Sequence, residues 1–235
     1  MKTYGIILAS GSGTRFGGNV PKQFVRVGGR MIIEYTLDVF MCTQAIDEII
    51  VVVSEPWMEE MSRLSVSLSG KKPVRVVAGG ATRMKSCENG VAAIVEDEAK
   101  VVIHNAVQPF ITTMTLDECV RALNGYDAVS VGSPCVYTIL ELDDNREILR
   151  IIPRSHSVND LGPECFRLSL LRRAFKTSSF QDGMTNVTGL VLRCGLGKVY
   201  VVDGDPANIK ITYPDDLDFA ERRLLGKYSS GDMED

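Results

Sequence analysis

Ile6-Ile7-Leu8-Ala9-Ser10-Gly11-Ser12-Gly13-Thr14-Arg15-Phe16-Gly17, with Pro21-Lys22-Gln23-Phe24 close behind, is the stretch on which the reading of this chain turns. The apolar run from Tyr4 to Ala9 predicts a buried strand. The Gly–Ser turn after it lets backbone N–H groups converge on an anion without side-chain obstruction. Two fixed cations follow, Arg15 and Lys22, separated by Gly17, Gly18 and Pro21. A loop that cradles phosphates and adds a guanidinium and an ammonium suits phosphoryl transfer, where catalysis is mostly positioning and charge neutralisation. Two better-known glycine motifs do not fit. Phe16 stands where G-x-G-x-x-G needs its third glycine, and no Gly-Lys-Ser/Thr follows the loop.

Outward from this loop, apolar strands alternate with amphipathic helices. Strands are predicted at Asp47–Val53, Val74–Ala78, Val101–His104, Ala128–Val131 and Lys198–Val202. Helices are predicted at Met31–Phe40, Trp57–Leu68, Arg83–Val95, Leu116–Leu123, Leu168–Lys176, Thr185–Cys194 and Pro214–Leu225. Such alternation predicts an α/β fold: a Rossmann-like, mostly parallel sheet with helices on both faces. Ligands of such sheets sit at the carboxyl ends of the strands. The loops Ser10–Gly13, Gly79–Arg83 and His104–Pro109 are therefore expected on one rim. Tyr137–Ile152 breaks the alternation and reads as a hairpin around Asp143-Asp144-Asn145. A lone two-stranded hairpin is marginal in water, so this one is expected to project as an arm and pack on a partner chain. The expected organisation is one domain over 1–227 with an arm at about 135–160, and a disordered tail over 228–235.

Composition narrows the function classes. The chain has 235 residues and a formal net charge of −4, which gives no basic footprint for nucleic acid. No apolar run approaches the roughly 20 residues of a membrane helix, and the N-terminus lacks a signal-peptide pattern. The six cysteines are scattered without a C-x-x-C pair or metal-type spacing, so reduced thiols in a cytoplasmic protein are expected. Asp215-Asp216 follows Pro214 at a predicted helix start, where carboxylates favour the positive end of the dipole, and reads as capping. Asp203 and Asp205 are second-choice metal ligands. His104 reads equally as a packed strand-end residue or a ligand contact, and His156 carries no signal.

The motif L-A-S-G-S-G-T-R-F-G…P-K-Q-F resembles the opening of the cytidylyltransferases that make CDP-activated polyols. These are the 2-C-methyl-D-erythritol 4-phosphate cytidylyltransferases of isoprenoid synthesis and the ribitol-5-phosphate cytidylyltransferases of teichoic acid synthesis. The resemblance continues through Gly79-Gly80-x-x-Arg83 with Ser86 and His104-Asn105-Ala106-Val107-Gln108-Pro109. It ends at Asn208-Ile209-Lys210-Ile211-Thr212-x-Pro214-x-Asp216-Leu217. It implies a homodimeric transferase moving CMP from CTP to a polyol phosphate with Mg²⁺ as cofactor. Leu8, Ala9, Ser10, Gly11 and Gly13 would wrap CTP, joined by Asn105 and Ala106. Gly80, Arg83 and Ser86 would flank its cytosine and ribose. Arg15, Lys22 and Lys210 would be the catalytic cations. Asn105, Gln108 and Lys210 would meet the acceptor, with Thr138 and Arg154 reaching the partner's pocket from the arm. Asn105 is also the implied metal contact.

This chain departs from the family pattern mainly on the acceptor side. The family's His-Asp-Ala-(Ala/Val)-Arg-Pro becomes His-Asn-Ala-Val-Gln-Pro, with Asn105 for the acid and Gln108 for the arginine. An amide offers Mg²⁺ one neutral oxygen without the charge a hard cation favours, and losing the arginine removes a bidentate phosphate clamp. Leu161-Gly162-Pro163-Glu164 stands for Gln-Thr-Pro-Gln, and Thr185-Asn186 for Thr-Asp. Val107 and the Pro56-Trp57 pair are closer to the ribitol-phosphate branch. Two readings follow: an active cytidylyltransferase with an altered acceptor half, or a CTP-binding homologue that serves as a regulatory or partner subunit.

Overall fold

A computed structural model describes residues 1–11, 13, 16, 20–68, 72–177 and 184–226. Arg15 and the tail from 227 onward lie outside these residues. In chain order the strands are β1 (Thr3–Ala9), β2 (Arg26–Val27), β3 (Arg30–Met31), β4 (Glu48–Val53), β5 (Val74–Ala78), β6 (Lys100–Asn105), β7 (Ala128–Pro134), β8 (Ile139–Leu142), β9 (Ile148–Ile152), β10 (Val158–Arg167) and β11 (Val199–Asp203). The helices are α1 (Ile32–Cys42), α2 (Met58–Leu68), α3 (Arg83–Ala92), α4 (Thr113–Ala122), α5 (Leu168–Lys176), α6 (Val187–Arg193) and α7 (Asp216–Leu224).

Seven strands form one sheet in the order β11-β7-β10-β6-β1-β4-β5. The pairs β1·β4, β1·β6, β4·β5 and β7·β11 are parallel. β10 runs antiparallel to both of its neighbours, β6 and β7. The sheet is mostly parallel, as the sequence predicts, but one interior strand, β10, was not among the predicted ones. Val158–Arg167 carries polar residues and a Gly162-Pro163 break, and the register shifts between Asp160 and Glu164. Beyond the shift, Pro163, Glu164, Cys165 and Phe166 are all buried.

Burial on both faces explains the unbroken apolar strands. Ile7, Ala9, Ile49 and Val51 face one core with Leu37, Phe40, Met61 and Leu116, drawn from α1, α2 and α4. The alternate residues Tyr4, Ile6, Ile50 and Val52 face the other core with Cys87, Leu171 and Leu190, from α3, α5 and α6. With both faces covered, apolar residues occupy successive positions, and the period-two signal is lost from the sequence. Side-chain caps begin three of the helices: Thr82 accepts from the Lys85 N–H, Thr112 from Thr115, and Asn186 from Gly189.

Two features set up the site. In register, Leu8 pairs with Asn105, and Ala9 with Val53, which in turn pairs with Ala78, so β1, β4, β5 and β6 end in one row. The loops after β1, β5 and β6 thus leave from the same rim, as predicted. A smaller apolar cluster of Val27, Ile32, Val107, Phe110, Ile211 and Ala220 then docks the segment before α7 against the loop after β6. The Ile211 N–H donates to the Val107 carbonyl at 2.9 Å. β8 and β9 pair only with each other, as the predicted hairpin. Among the described residues, no helix is long and apolar enough to cross a membrane.

Candidate active site

A cleft of about 430 Å³ opens on this rim, lined by Leu8, Ser10, Gly11, Gly13, Gly80, Arg83, Ser86, Asn105 and Lys210 among others. Lys22 lines it too. Eight of the ten residues expected to wrap CTP, Leu8 and Asn105 among them, therefore line one cleft. Ala9, which is buried, is not among the lining residues; its carbonyl accepts from Gln23 Nε2 at 2.6 Å. Ala106 is likewise fully buried. Its N–H donates to the Leu8 carbonyl at 3.0 Å, and its own carbonyl accepts from Thr36 Oγ1. Both alanines therefore shape the cleft from the core side: Ala9 turns its methyl group inward at the end of β1, and Ala106 packs into the same core from the turn that follows β6.

Glycine is required at two points of the rim. Gly13 has φ +69°, the left-handed region that L side chains avoid. At Gly79, a Cβ would stand 2.5 Å from Ser10 Cβ and 3.2 Å from Ser86 Oγ, so the two loops can meet only without one. They are joined there by Ser10 Oγ donating to Ser86 Oγ at 2.8 Å, and Ser86 Oγ also accepts the Gly80 N–H at 3.0 Å. Ser86 is buried, so it organises the loop junction.

Gln23 is a site-building residue that motif reading gave no role. It is 2% exposed and also donates to the Gly11 carbonyl at 2.9 Å. One amide thus satisfies two carbonyls of the glycine loop, and Phe24 beside it stacks on Trp57 with ring centroids 4.0 Å apart. The sequence carries no signal for this role, because the partners of Gln23 lie in a loop whose conformation the sequence does not specify.

Cations from distant parts of the chain converge. Lys22 Nζ donates to the Ile211 carbonyl at 2.7 Å, adjacent in sequence to Lys210. Arg83 Nη2 donates to Glu164 Oε2 at 2.9 Å, and Glu164 Oε1 accepts the Thr188 N–H at 2.7 Å. Glu164 is 3% exposed and had not been assigned a role.

A second cavity of about 200 Å³ adjoins the first, and the two share Arg83, Asn105 and Lys210. Its other walls include Gln108, Asp160, Leu161, Glu164 and Asn186. The expected acceptor residues Asn105, Gln108 and Lys210 therefore stand together. Asn105 Nδ2 donates to Gln108 Oε1, and Gln108 Nε2 donates to the Leu161 carbonyl at 2.6 Å. The two departures from the family pattern thus form one neutral, mutually bonded unit. Thr138 and Arg154 line neither cavity of their own chain; both are exposed on the arm, where Arg154 Nη1 donates to the Val136 carbonyl at 2.8 Å.

The remaining candidates resolve as structural. His104 is buried, with Nε2 2.9 Å from the Gln108 carbonyl, and desolvation pushes its pKa down to about 4. Asp216 Oδ2 accepts the N–H groups of Thr212 and Tyr213, so this carboxylate holds the turn into α7. Asp205 accepts from the Ala207 N–H and pairs with Arg223 at 3.3 Å. Among the described residues, no group of three or more His, Cys, Asp or Glu could hold a metal ion.

Comparison with known proteins agrees with this geometry. The profile of the 2-C-methyl-D-erythritol 4-phosphate cytidylyltransferase family matches residues 4–225. The Thermotoga neapolitana protein named 2-C-methyl-D-erythritol 4-phosphate cytidylyltransferase is 33% identical over 223 residues, covering 94% of this chain and 96% of that one. The Haemophilus influenzae bifunctional ribulose 5-phosphate reductase/CDP-ribitol pyrophosphorylase is also 33% identical, over 226 residues. The match covers 94% of this chain but 48% of that relative, so this chain spans about half its length. The solved 4-diphosphocytidyl-2C-methyl-D-erythritol synthase of Anaerococcus prevotii superposes with a TM-score of 0.84 at 28% identity, covering 95% of this chain and 98% of that one. The chain belongs to the 2-C-methyl-D-erythritol 4-phosphate cytidylyltransferase family of nucleotidyltransferases.

Proposed function

We propose that this protein transfers CMP from CTP to a small polyol phosphate, of the ribitol 5-phosphate or 2-C-methyl-D-erythritol 4-phosphate class, and releases pyrophosphate. One observation carries the reading: Lys22, anchored on the Ile211 carbonyl, lines the same cleft as Lys210 and Arg83, beside a glycine loop. The adjoining cavity gives an acceptor a place across the shared residues Arg83, Asn105 and Lys210. The two kinds of relative, one named for methylerythritol phosphate and one for CDP-ribitol, support the same acceptor class.

In this mechanism an acceptor phosphate oxygen attacks the α-phosphorus of CTP in line. A new P–O bond forms as the bond between the α-phosphorus and its bridging oxygen to the β-phosphate breaks. Pyrophosphate leaves with the electron pair. Negative charge grows on the α-phosphoryl oxygens and the leaving group, and Lys22 and Lys210 act there, with Arg15 assigned by the family motif. One fixed unit charge at about 4 Å is worth roughly 4 kcal/mol in a partly screened site, enough for each cation to matter on its own. No protein nucleophile is needed, which suits a buried His104 bonded to backbone.

Mg²⁺ belongs to the same reading. Asn105 lines both cavities and offers one amide oxygen. That donor set fits a cation held mainly by triphosphate oxygens and water, as Mg²⁺ commonly is at nucleotide sites. When bound, the ion would draw negative charge from the phosphoryl group. The reading also includes a cytoplasmic homodimer joined through the 135–160 arm. In its support, Ile148, Leu149 and Ile151 on β9 are each at least 60% exposed, an apolar surface that a partner would cover.

Incubation with CTP, Mg²⁺ and a panel of polyol phosphates tests the assignment. Release of pyrophosphate dependent on one acceptor is the expected result. CTP binding without pyrophosphate release for any acceptor would overturn it.

A further inference from the structure

We infer that Glu164 is a positioning residue for the nucleotide, acting through Arg83. The inference rests on the proposed function, in which Arg83 flanks the nucleoside of CTP. Arg83 lines both cavities, yet it would have many rotamers available if nothing held it. Glu164 supplies the hold. Its Oε2 accepts from Arg83 Nη2 at 2.9 Å, while its Oε1 accepts the Thr188 N–H at 2.7 Å. The carboxylate is 3% exposed, so both bonds are made out of water, where charge-assisted bonds are strongest. The other amino nitrogen of the guanidinium, Nη1, is buried and has no hydrogen-bond partner. A buried donor of this kind is costly unless something completes it, and a ligand between the shared walls of the two cavities would do so.

The same carboxylate spans the two halves of the site. Thr188 lies in the first turn of α6, and Thr185 and Asn186 just before it line the second cavity. Glu164 itself lies on β10, beyond the register shift that separates it from Asp160. It is thus a fixed post: the sheet sets its position, and the guanidinium follows.

Glu164→Gln tests this without opening a cavity. The amide oxygen can still accept from Thr188, while the charge that holds Arg83 is gone. Isothermal calorimetry with CTP reads the effect without requiring turnover. The expected result is a CTP dissociation constant raised about tenfold, the scale of one hydrogen bond to a charged group. An Arg83→Met variant is expected to lose a similar amount, and Arg83→Met/Glu164→Gln no more than Arg83→Met alone, since residues acting through one contact are not additive. A purely structural role would instead lower the melting temperature and add to the Arg83→Met effect. Unchanged CTP affinity in Glu164→Gln, or additive losses, would overturn the inference while leaving the transfer reaction intact. Wild-type protein that binds CTP but transfers nothing would overturn the proposed function alone; no CTP binding at all would overturn both.

Discussion

Lys22 Nζ donates to the carbonyl of Ile211 at 2.7 Å, a hydrogen bond between residues 189 positions apart. It closes the cleft by tying the glycine loop to the C-terminal segment that carries Lys210. That segment is in turn fixed by the Ile211 N–H on the Val107 carbonyl, so three loops share one joint.

Replacing Lys22 by alanine is expected to lower kcat by about 10²–10³-fold, as loss of one fixed donor to developing charge does. Lys22 is only partly buried and contributes no apolar core, so the melting temperature should move little. Steady-state kinetics together with thermal unfolding checks both halves of the expectation.

The neutral pair Asn105–Gln108 gives a prediction that differs from simple restoration of the family acid. Asn105 donates its amide N–H to Gln108 Oε1, so Asn105→Asp alone sets a carboxylate against that amide oxygen. Gln108 cannot turn over freely, because its own amide donates to the Leu161 carbonyl. Asn105→Asp is therefore expected to gain little Mg²⁺-dependent activity, and Asn105→Asp/Gln108→Arg to gain more than the two single changes combined. Titrating Mg²⁺ against initial rate in the four proteins measures the coupling. Equal rates throughout would mean that the metal is held elsewhere.

His104 imposes a pH dependence on stability. Its pKa in the fold is pushed down by burial to about 4, from an ordinary value near 6.5. The unfolded chain therefore binds the proton first as pH falls, and stability is lost between about pH 6.5 and pH 4. The loss is at most about 3 kcal/mol from this residue. Urea unfolding at pH 7.5, 6 and 4.5 should show that decline, and His104→Gln should flatten the part of it due to His104.

The arm gives a solution test. Ile148, Leu149 and Ile151 are exposed together on β9, and Leu140 and Leu142 on β8 add to the surface. Light scattering of the purified protein is expected to give twice the chain mass, and Ile151→Glu to return it to one chain. A monomeric wild type at micromolar concentration would contradict the arm's assigned role.

Much of this architecture was legible in the sequence because the signals were local. The runs at the middle of β1, β4 and β6 are apolar at consecutive positions, since both faces of the sheet are covered. The hairpin of β8 and β9 carried its turn at Asp143–Asn145, where Asp143 Oδ1 accepts the Asn145 N–H. β10 escaped because its defining contacts are non-local: its polar first half and Gly162-Pro163 read as loop, and only the neighbours β6 and β7 make it a strand. The site follows the same division. Arg83 and Asn105 were visible in loops expected on one rim and Lys22 as a fixed cation after the glycine turn, while Lys210 entered only through the family motif. Gln23 and Glu164 were not visible, because a buried polar residue shows its purpose only through partners that folding brings to it. Ala9 and Ala106 were placed in the nucleotide's contact set by motif alone, and their side chains are buried in the core.

Phosphorus-31 NMR of a reaction containing CTP, Mg²⁺ and either ribitol 5-phosphate or 2-C-methyl-D-erythritol 4-phosphate tests the central claim most directly. Cytidylyl transfer predicts loss of the CTP signals, free pyrophosphate in equal amount, and a new pair of diphosphate-ester signals from the CDP-polyol with one of the two acceptors. CTP left intact with both acceptors, or hydrolysed to CMP without a new diphosphate ester, would contradict it.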